Sequence, residues 1–325
     1  MSELYPLKFK TIFKEKIWGG QKIKTILGKD FGNLENCGET WELSGVEGNI
    51  SIVENGHLSG TPLTELVEKY EAKLVGESIV SRFGYEFPLL IKFIDAAEDL
   101  SIQVHPDDEM AKKKHNGFGK TEMWYILQAD EGASLISGFN KETNKEEYLE
   151  YFNAGKLTEI LNREEAKKND VFFLPAGRVH TIGGGLTLAE IQQTSDTTYR
   201  IYDFEREDKD GNKRKLHVEE ALDAIDFTYS ENYKTLFEDK KNDTSSIITT
   251  PFFTANKLFL DQPIDLDRSK LDCFKIYIGV GGSAIIAGES INFGEVMLVP
   301  AEMKNYTVEP EGKVELLETY IELHP

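Results

Sequence analysis

Cysteine is nearly absent from this chain, with two in 325 residues. Cys37 and Cys273 show no metal-type spacing and build no disulfide framework, so they are expected as free thiols in a reducing compartment. Long apolar runs are also missing. No stretch approaches membrane-spanning length, and the opening MSELYPLKFKTIFKEKIWGG is too charged to contain a signal-peptide core. Positive charge is scarce: 37 Lys and Arg stand against 57 Asp and Glu, a net charge of −20. That balance argues against nucleic acid as a partner and repels a phosphorylated ligand at long range, so any phosphate site needs a local cluster of bases. The chain is long enough for two domains and a substantial core, and a soluble cytoplasmic protein is expected.

Four polar residues stand out. Gln103 and His105 lie two apart in LSIQVHPDD, which alternates like a strand, so their side chains leave one face. Glu122 opens a second strand-like run in GKTEMWYIL, and His180 closes a Pro-x-Gly-x-x-His turn in LPAGRVHTIGGG. Two imidazoles, a carboxylate and an amide carbonyl suit zinc or another borderline divalent ion. Ser101 shares the strand parity of Gln103 and His105, so its hydroxyl is a candidate to face the same cavity and bind substrate, with a packing role an equal reading. Lys92 interrupts the apolar strand FPLLIKFID, and lysine is rarely buried without a purpose, so phosphate binding and a place at a barrel rim are both open. Trp18 and Trp41 are read as core packing. His57, His115, His217 and His324 are set aside as turn, helix-end, capping or terminal residues.

Most of the chain reads as short strands punctuated by Gly, Asn and Asp. Helical periodicity is confined to 62–82 after Pro62, to 107–114, to 217–225, and to 141–168, where two short helices are expected to break at Asn153-Ala154-Gly155. A degenerate repeat organises the rest. NDVFFLPAGRVH (169–180) overlays GEVMLVPAEMKN (294–305), and GASLISG (132–138) overlays GSAIIAG (282–288). The offsets differ because the first copy carries the insertion at 141–168. Two copies of one β unit imply two related barrels, divided at 1–240 and 241–325. His180 falls on Asn305, so the first unit should hold the metal and the second should be structural or help assembly.

The strand, the P-x-G-x-x-H turn and the glycines after it resemble the second motif of the cupin superfamily. With IQVHPDDEMA, GKTEMWYIL, LPAGRVHTIG and TSDTTYRIYDF in order, and FKEKIWGG and GETWELSG ahead of them, the chain resembles the type I mannose-6-phosphate isomerases of the short bacterial form. The resemblance implies a mainly β fold of two cupin-like (jelly-roll) barrels with small helical insertions at about 62–82 and 141–168. It implies aldose–ketose exchange between mannose 6-phosphate and fructose 6-phosphate with one bound Zn2+ per chain. The family's ligands fall on Gln103, His105, Glu122 and His180, its catalytic arginine on Arg200, and a nearby acid on Glu190. Its lysines fall on Lys120 and Lys92.

Isomerisation through an enediol needs a base for the proton moving between C1 and C2, stabilisation of the enediolate oxygen, and cations for the phosphate. Glutamate and a metal-linked water both fit the base. Glu190 shares strand parity with Leu188 and Gln192, which favours burial with a partner over a surface-facing side chain; the lesser reading of Arg200 is a structural ion-pair partner of Asp196 or Asp203. Two rivals are an Fe(II) cupin oxygenase and a non-catalytic sugar-phosphate-binding cupin. Gln103 and the bases Lys92, Lys120 and Arg200 weigh against the first; the second lacks a DNA-binding segment. A small-molecule sugar phosphate is the expected partner, with neither nucleic acid nor membrane, in a monomer or homodimer.

Overall fold

The computed structural model describes residues 3–207 and 210–322. Along the chain run β1 (Leu7–Lys8), β2 (Ile12–Lys14), α1 (Lys22–Thr25), β3 (Glu39–Leu43), α2 (Leu63–Tyr70), α3 (Ala72–Val75), α4 (Glu77–Phe83), β4 (Leu89–Ala96) and β5 (Ile102–Val104). Then come α5 (Asp108–His115), β6 (Glu122–Ala129), β7 (Ser134–Phe139), α6 (Lys145–Asn153), a 3-10 turn at Leu157–Ile160, β8 (Leu161–Glu165), β9 (Val171–Leu174), β10 (His180–Ile182), β11 (Leu186–Gln193), β12 (Tyr199–Tyr202) and α7 (Val218–Ala224). The last nine strands are β13 (Thr244–Thr249), β14 (Thr254–Leu260), β15 (Ile264–Asp267), β16 (Lys275–Gly281), β17 (Ser283–Ile286), β18 (Glu289–Asn292), β19 (Val296–Val299), β20 (Asn305–Pro310) and β21 (Val314–Tyr320). The fold is mainly β. No helix among the described residues is long and apolar enough to cross a membrane.

Strand pairing repeats. One sheet runs β2-β3-β4-β11-β6-β9 and a second runs β12-β5-β10-β7-β8. The others run β1-β19-β16-β21-β14-β13 and β15-β20-β17-β18. The strands from β4 to β11 therefore pair among themselves as the strands from β14 to β21 do. The sequence repeat lands on equivalent elements: β9 matches β19, and His180 and Asn305 each open the strand that follows the turn.

Alternation explains the layers. On β6 and β11, Trp124, Ile126 and Leu188 face the second sheet across an apolar layer with Leu174 and Ile182. Their neighbours Met123, Tyr125 and Ile191 face the other way, into a larger cluster with Ile276, Leu298 and Leu317 of the C-terminal strands. Strands buried on both faces read as nearly continuous apolar runs, which is why β4 and β11 have no exposed residue.

The helical expectation at 62–82 holds in divided form, and that at 141–168 needs correction. Residues 62–82 form three short helices, because Glu71 at φ 46° and Gly76 at φ 104° turn the chain. A Cβ at Gly76 would meet the Asp272 carbonyl oxygen at 2.4 Å, so the turn also admits the neighbouring backbone. In 141–168 only the first helix forms. Residues 161–165 become β8, whose ladder with β7 (Ser134↔Glu165, Leu135↔Glu164) overrides their helical propensity. By contrast α5 follows its local signals: Asp107 caps Met110 N, acids fill the first turn and lysines the last. His324 lies outside the described residues.

Candidate active site

Three antiparallel strands put one row of polar groups inside the first unit. Register sets Glu190 of β11 between Lys92 of β4 and Trp124 of β6. Glu122 precedes Trp124 by two residues and so faces the same side. From the opposite sheet, His180 on β10 is in register with Gln103 on β5, and His105 follows β5.

His105, Glu122 and His180 come together, with one candidate ligand atom from each lying within 4.8 Å of the others. Each imidazole is fixed from behind. His105 Nδ1 donates to Thr197 O at 3.0 Å and His180 Nδ1 donates to Arg178 O at 2.8 Å, which leaves both Nε2 lone pairs facing Glu122. Glu122 Oε2 lies 3.5 Å from His105 Nε2, and Oε1 lies 3.4 Å from His180 Nε2. The Gln103 amide is 3.4 Å from His180 Nε2, and exchanging its oxygen and nitrogen would add an acceptor to the same space. Glu122 Oε1 is buried without a hydrogen-bond partner. Two lone-pair nitrogens and an orphaned carboxylate oxygen are the donors a borderline divalent ion takes, so the residues fit such an ion.

Burial and charge set the protonation of the metal-free polypeptide. Burial, then the Lys120 charge, pushes His180 down to about 3 and His105 well below its ordinary value, so both stay neutral. Burial raises Glu122 to about 7 against the pull of Lys120. Lys120 Nζ donates to Glu122 Oε2 at 2.6 Å and to His105 Nε2 at 2.9 Å. Glu190 Oε2 accepts from the Trp124 indole at 2.9 Å, and Oε1 lies 3.1 Å from Lys92 Nζ. Burial alone would raise Glu190; Lys92 and Lys120 outweigh it and hold the carboxyl below its ordinary value.

These groups open into a cavity of about 440 Å³. Gln103, Lys120, Glu190, Lys92, Ser101 and Arg200 all line it, with Trp18 and Trp41, which sequence had assigned to packing. Lys92 sits deep, between Glu190 and the Trp41 ring (5.2 Å), rather than at a rim. Arg200 stands at the mouth, half-buried, with its Nη1 on Lys215 O at 2.9 Å and a buried Nε lacking a partner. It pairs with neither Asp196 nor Asp203: Asp203 instead takes Arg206 and Arg214, each at 2.7 Å.

Sequence reasoning passed over several lining residues. Lys14 and Glu39 are in register across β2 and β3, and Lys16 lies 3.3 Å from Glu39. Burial would raise Glu39, yet Lys92 and Lys16, with the Trp41 indole donating at 2.8 Å, hold it at about 2. The available signal was the alternation in GETWEL, which puts Glu39 and Trp41 on one face. His217, expected to precede a helix as a capping residue, stands at the N-cap position of α7, and its Nδ1 accepts from the Arg200 backbone N–H at 3.2 Å.

The second unit repeats the frame with other residues. Register places Glu318 beside Tyr277 and Asn256, as Glu190 lies beside Trp124 and Lys92. Lys275 opens β16 where Glu122 opens β6, and its Nζ donates to Pro300 O and Met303 O at 3.0 and 2.8 Å. The three-residue cluster of the first unit has no counterpart there among the described residues.

A sequence profile described as the catalytic domain of type I phosphomannose isomerase matches residues 6–133. The chain is 33% identical to the mannose-6-phosphate isomerase of Streptococcus mutans, over 97% of its own length and 98% of the relative's. It is 36% identical to mannose-6-phosphate isomerase ManA of Bacillus subtilis, over 94% and 96%. The crystal structure of a Bacillus subtilis mannose 6-phosphate isomerase superposes with a TM-score of 0.86 at 31% identity, covering 97% of this chain and 99% of that one.

Proposed function

The chain belongs to the type I phosphomannose isomerase family, and from that premise we propose that it interconverts mannose 6-phosphate and fructose 6-phosphate at a zinc site in the first unit. The observation that carries the reading is the buried His105–Glu122–His180 cluster, with its orphaned carboxylate oxygen, whose neighbours Gln103 and Lys120 line a cavity that several cations also line.

Gln103, His105, Glu122 and His180 would hold one Zn2+ per chain. Bound there, zinc would supply Lewis acidity toward the sugar's carbonyl and hydroxyl oxygens. Glu190, an ionised carboxylate that lines the cavity on the same sheet face as Glu122, moves the proton between C1 and C2, while the Trp124 indole and Lys92 hold its two oxygens. Arg200, permanently charged at the mouth, stabilises the developing oxyanion. Lys120, Lys92 and Ser101 orient the sugar phosphate, and Lys120 also keeps both imidazoles neutral by its charge. The strand order supports two cupin-like jelly-roll barrels, divided as 1–240 and 241–325, with β1 crossing to the second. A cytoplasmic monomer or homodimer, with the sugar phosphate as its small-molecule partner, completes the reading.

The test is a coupled assay of fructose 6-phosphate formation from mannose 6-phosphate, before and after chelation and after zinc is restored. Turnover that disappears with chelator and returns with zinc supports the reaction and the cofactor together. A fully metallated protein without turnover would refute the isomerase reading.

A further inference from the structure

Lys120 and Glu122 flank Thr121, and the backbone of Thr121 is gripped from both sides by one buried residue, through its side chain and its own main chain. Gln193, at the end of β11, donates its N–H to Thr121 O at 3.1 Å, and its Oε1 accepts from Thr121 N at 2.9 Å. The other end of that amide is also fixed: Gln193 Nε2 donates to Asp108 Oδ1 at 2.9 Å, and the same oxygen accepts from Gly119 N at 2.8 Å. Gly119 has to be glycine, because a Cβ there would lie 2.6 Å from the backbone of Asp107 and Asp108. Thr121 Oγ1 accepts from Ala176 N at 3.3 Å, in the turn that leads to His180, and Gly177 N donates to His105 O at 2.9 Å. These bonds join the segments bearing Lys120, Glu122, His105 and His180 into one ring. Gln193 and Thr121 are 6% and 1% exposed, so water is a poor substitute for the bonds between them.

We propose that Gln193 and Asp108 are positioning residues for the reaction: neither touches the sugar, and together they set where Lys120 and Glu122 stand relative to the two histidines. The proposal rests on the reading of that cluster as the site. It predicts a signature unlike that of a packing residue. A packing residue lowers the melting temperature and spares the chemistry. A clamp on these two groups lowers kcat and metal affinity together at a temperature well below the melt, and KM rises with them because Lys120 also lines the cavity.

Gln193→Glu keeps the volume and the acceptor for Thr121 N but turns an oxygen toward Asp108, where a donor is needed. The experiment measures kcat, KM for mannose 6-phosphate, and affinity for Co2+ as a probe metal. For Gln193→Glu, kcat and Co2+ affinity are each expected to fall at least about tenfold, with a rise in KM as Lys120 is displaced. Asp108→Asn is the conservative control, since its amide oxygen can still accept from both Gly119 N and Gln193 Nε2. That variant is expected to keep both quantities within about threefold of the unaltered protein. A Gln193→Glu protein with unaltered kcat and Co2+ affinity, or an Asp108→Asn protein that loses both as Gln193→Glu does, overturns the proposal. Should Gln193→Glu fail to fold, Asp108→Ala at the half-exposed start of α5 takes its place. It should lower both quantities in the same way, and normal values refute the clamp. If the unaltered protein shows no turnover but Co2+ affinity follows the pattern, the isomerase reading fails and the clamp stands.

Discussion

Arg268→Met should unsettle the second unit without touching the chemistry in the first. Glu318 has no exposed side-chain surface. Its Oε1 takes Arg268 Nε at 3.1 Å and Nη2 at 2.9 Å, and Nη2 also lies 2.9 Å from Oε2. Asn256 Nδ2 at 3.0 Å and the Tyr277 hydroxyl at 2.7 Å complete the set. Methionine leaves that carboxylate with neutral donors only. Removing one partner of a buried ion pair costs about 3–5 kcal/mol. The Arg268 side chain is 19% exposed, which trims the figure to about 2–4 kcal/mol. At about 2 °C per kcal/mol for a chain of this size, Tm should fall by about 4–8 °C. The assay is a thermal melt beside isomerase activity at 25 °C, where activity should be unchanged. Arg268→Met/Glu318→Gln should recover more than half of the loss, since the charge left stranded is then gone. A single variant melting within about 1 °C of the unaltered protein, or a double variant less stable than the single, would refute the reasoning.

Three other outcomes are expected. His180→Ala removes one of two imidazoles that face Glu122, and should abolish both bound metal, read by elemental analysis, and turnover; full metal content would exclude His180 as a ligand. Arg200→Ala should keep its metal while kcat falls about 100-fold or more, and a near-normal rate would reduce Arg200 to a structural role. Glu39 is held at about 2 against an ordinary 4.5, so its contribution to stability is complete above pH 4.5 and is lost as pH falls toward 2. That contribution is about 3 kcal/mol; Glu39→Gln should therefore flatten the acid side of the stability curve, and identical acid limbs would count against the ion-pair account.

How much of this was legible follows from how local each signal is. Gln103 and His105 were readable because a strand's period of two fixes one face from three residues, and His180 because its turn is contiguous. Glu190 was readable by parity with Leu188 and Gln192, although its partners Lys92 and Trp124 lie on strands that only register brings alongside. Lys16 and Glu39 meet across a connection that no short pattern spans. The helix expected beyond residue 156 failed for the converse reason: LNREE has helical composition, and the deciding fact is the free edge of β7 beside it. In the second unit the acid survived as Glu318, but its neighbours changed from Trp and Lys to Tyr and Asn. Sequence overlay caught the change at His180 and Asn305, and passed over Glu122 and Lys275.

The pairing of β1 with β19, Leu7 against Leu298, imposes a schedule on biosynthesis. The ribosome releases β1 long before β19. The apolar face carrying Ile91, Tyr125 and Ile191 waits equally long for Ile276, Leu298 and Leu317 to cover it. A nascent chain that has already emitted every metal-site residue therefore still exposes one whole greasy wall and an unclaimed N-terminal strand. Covering that wall is consequently a late step of folding, and until it happens the half that carries the metal cluster exposes the surface most prone to aggregate.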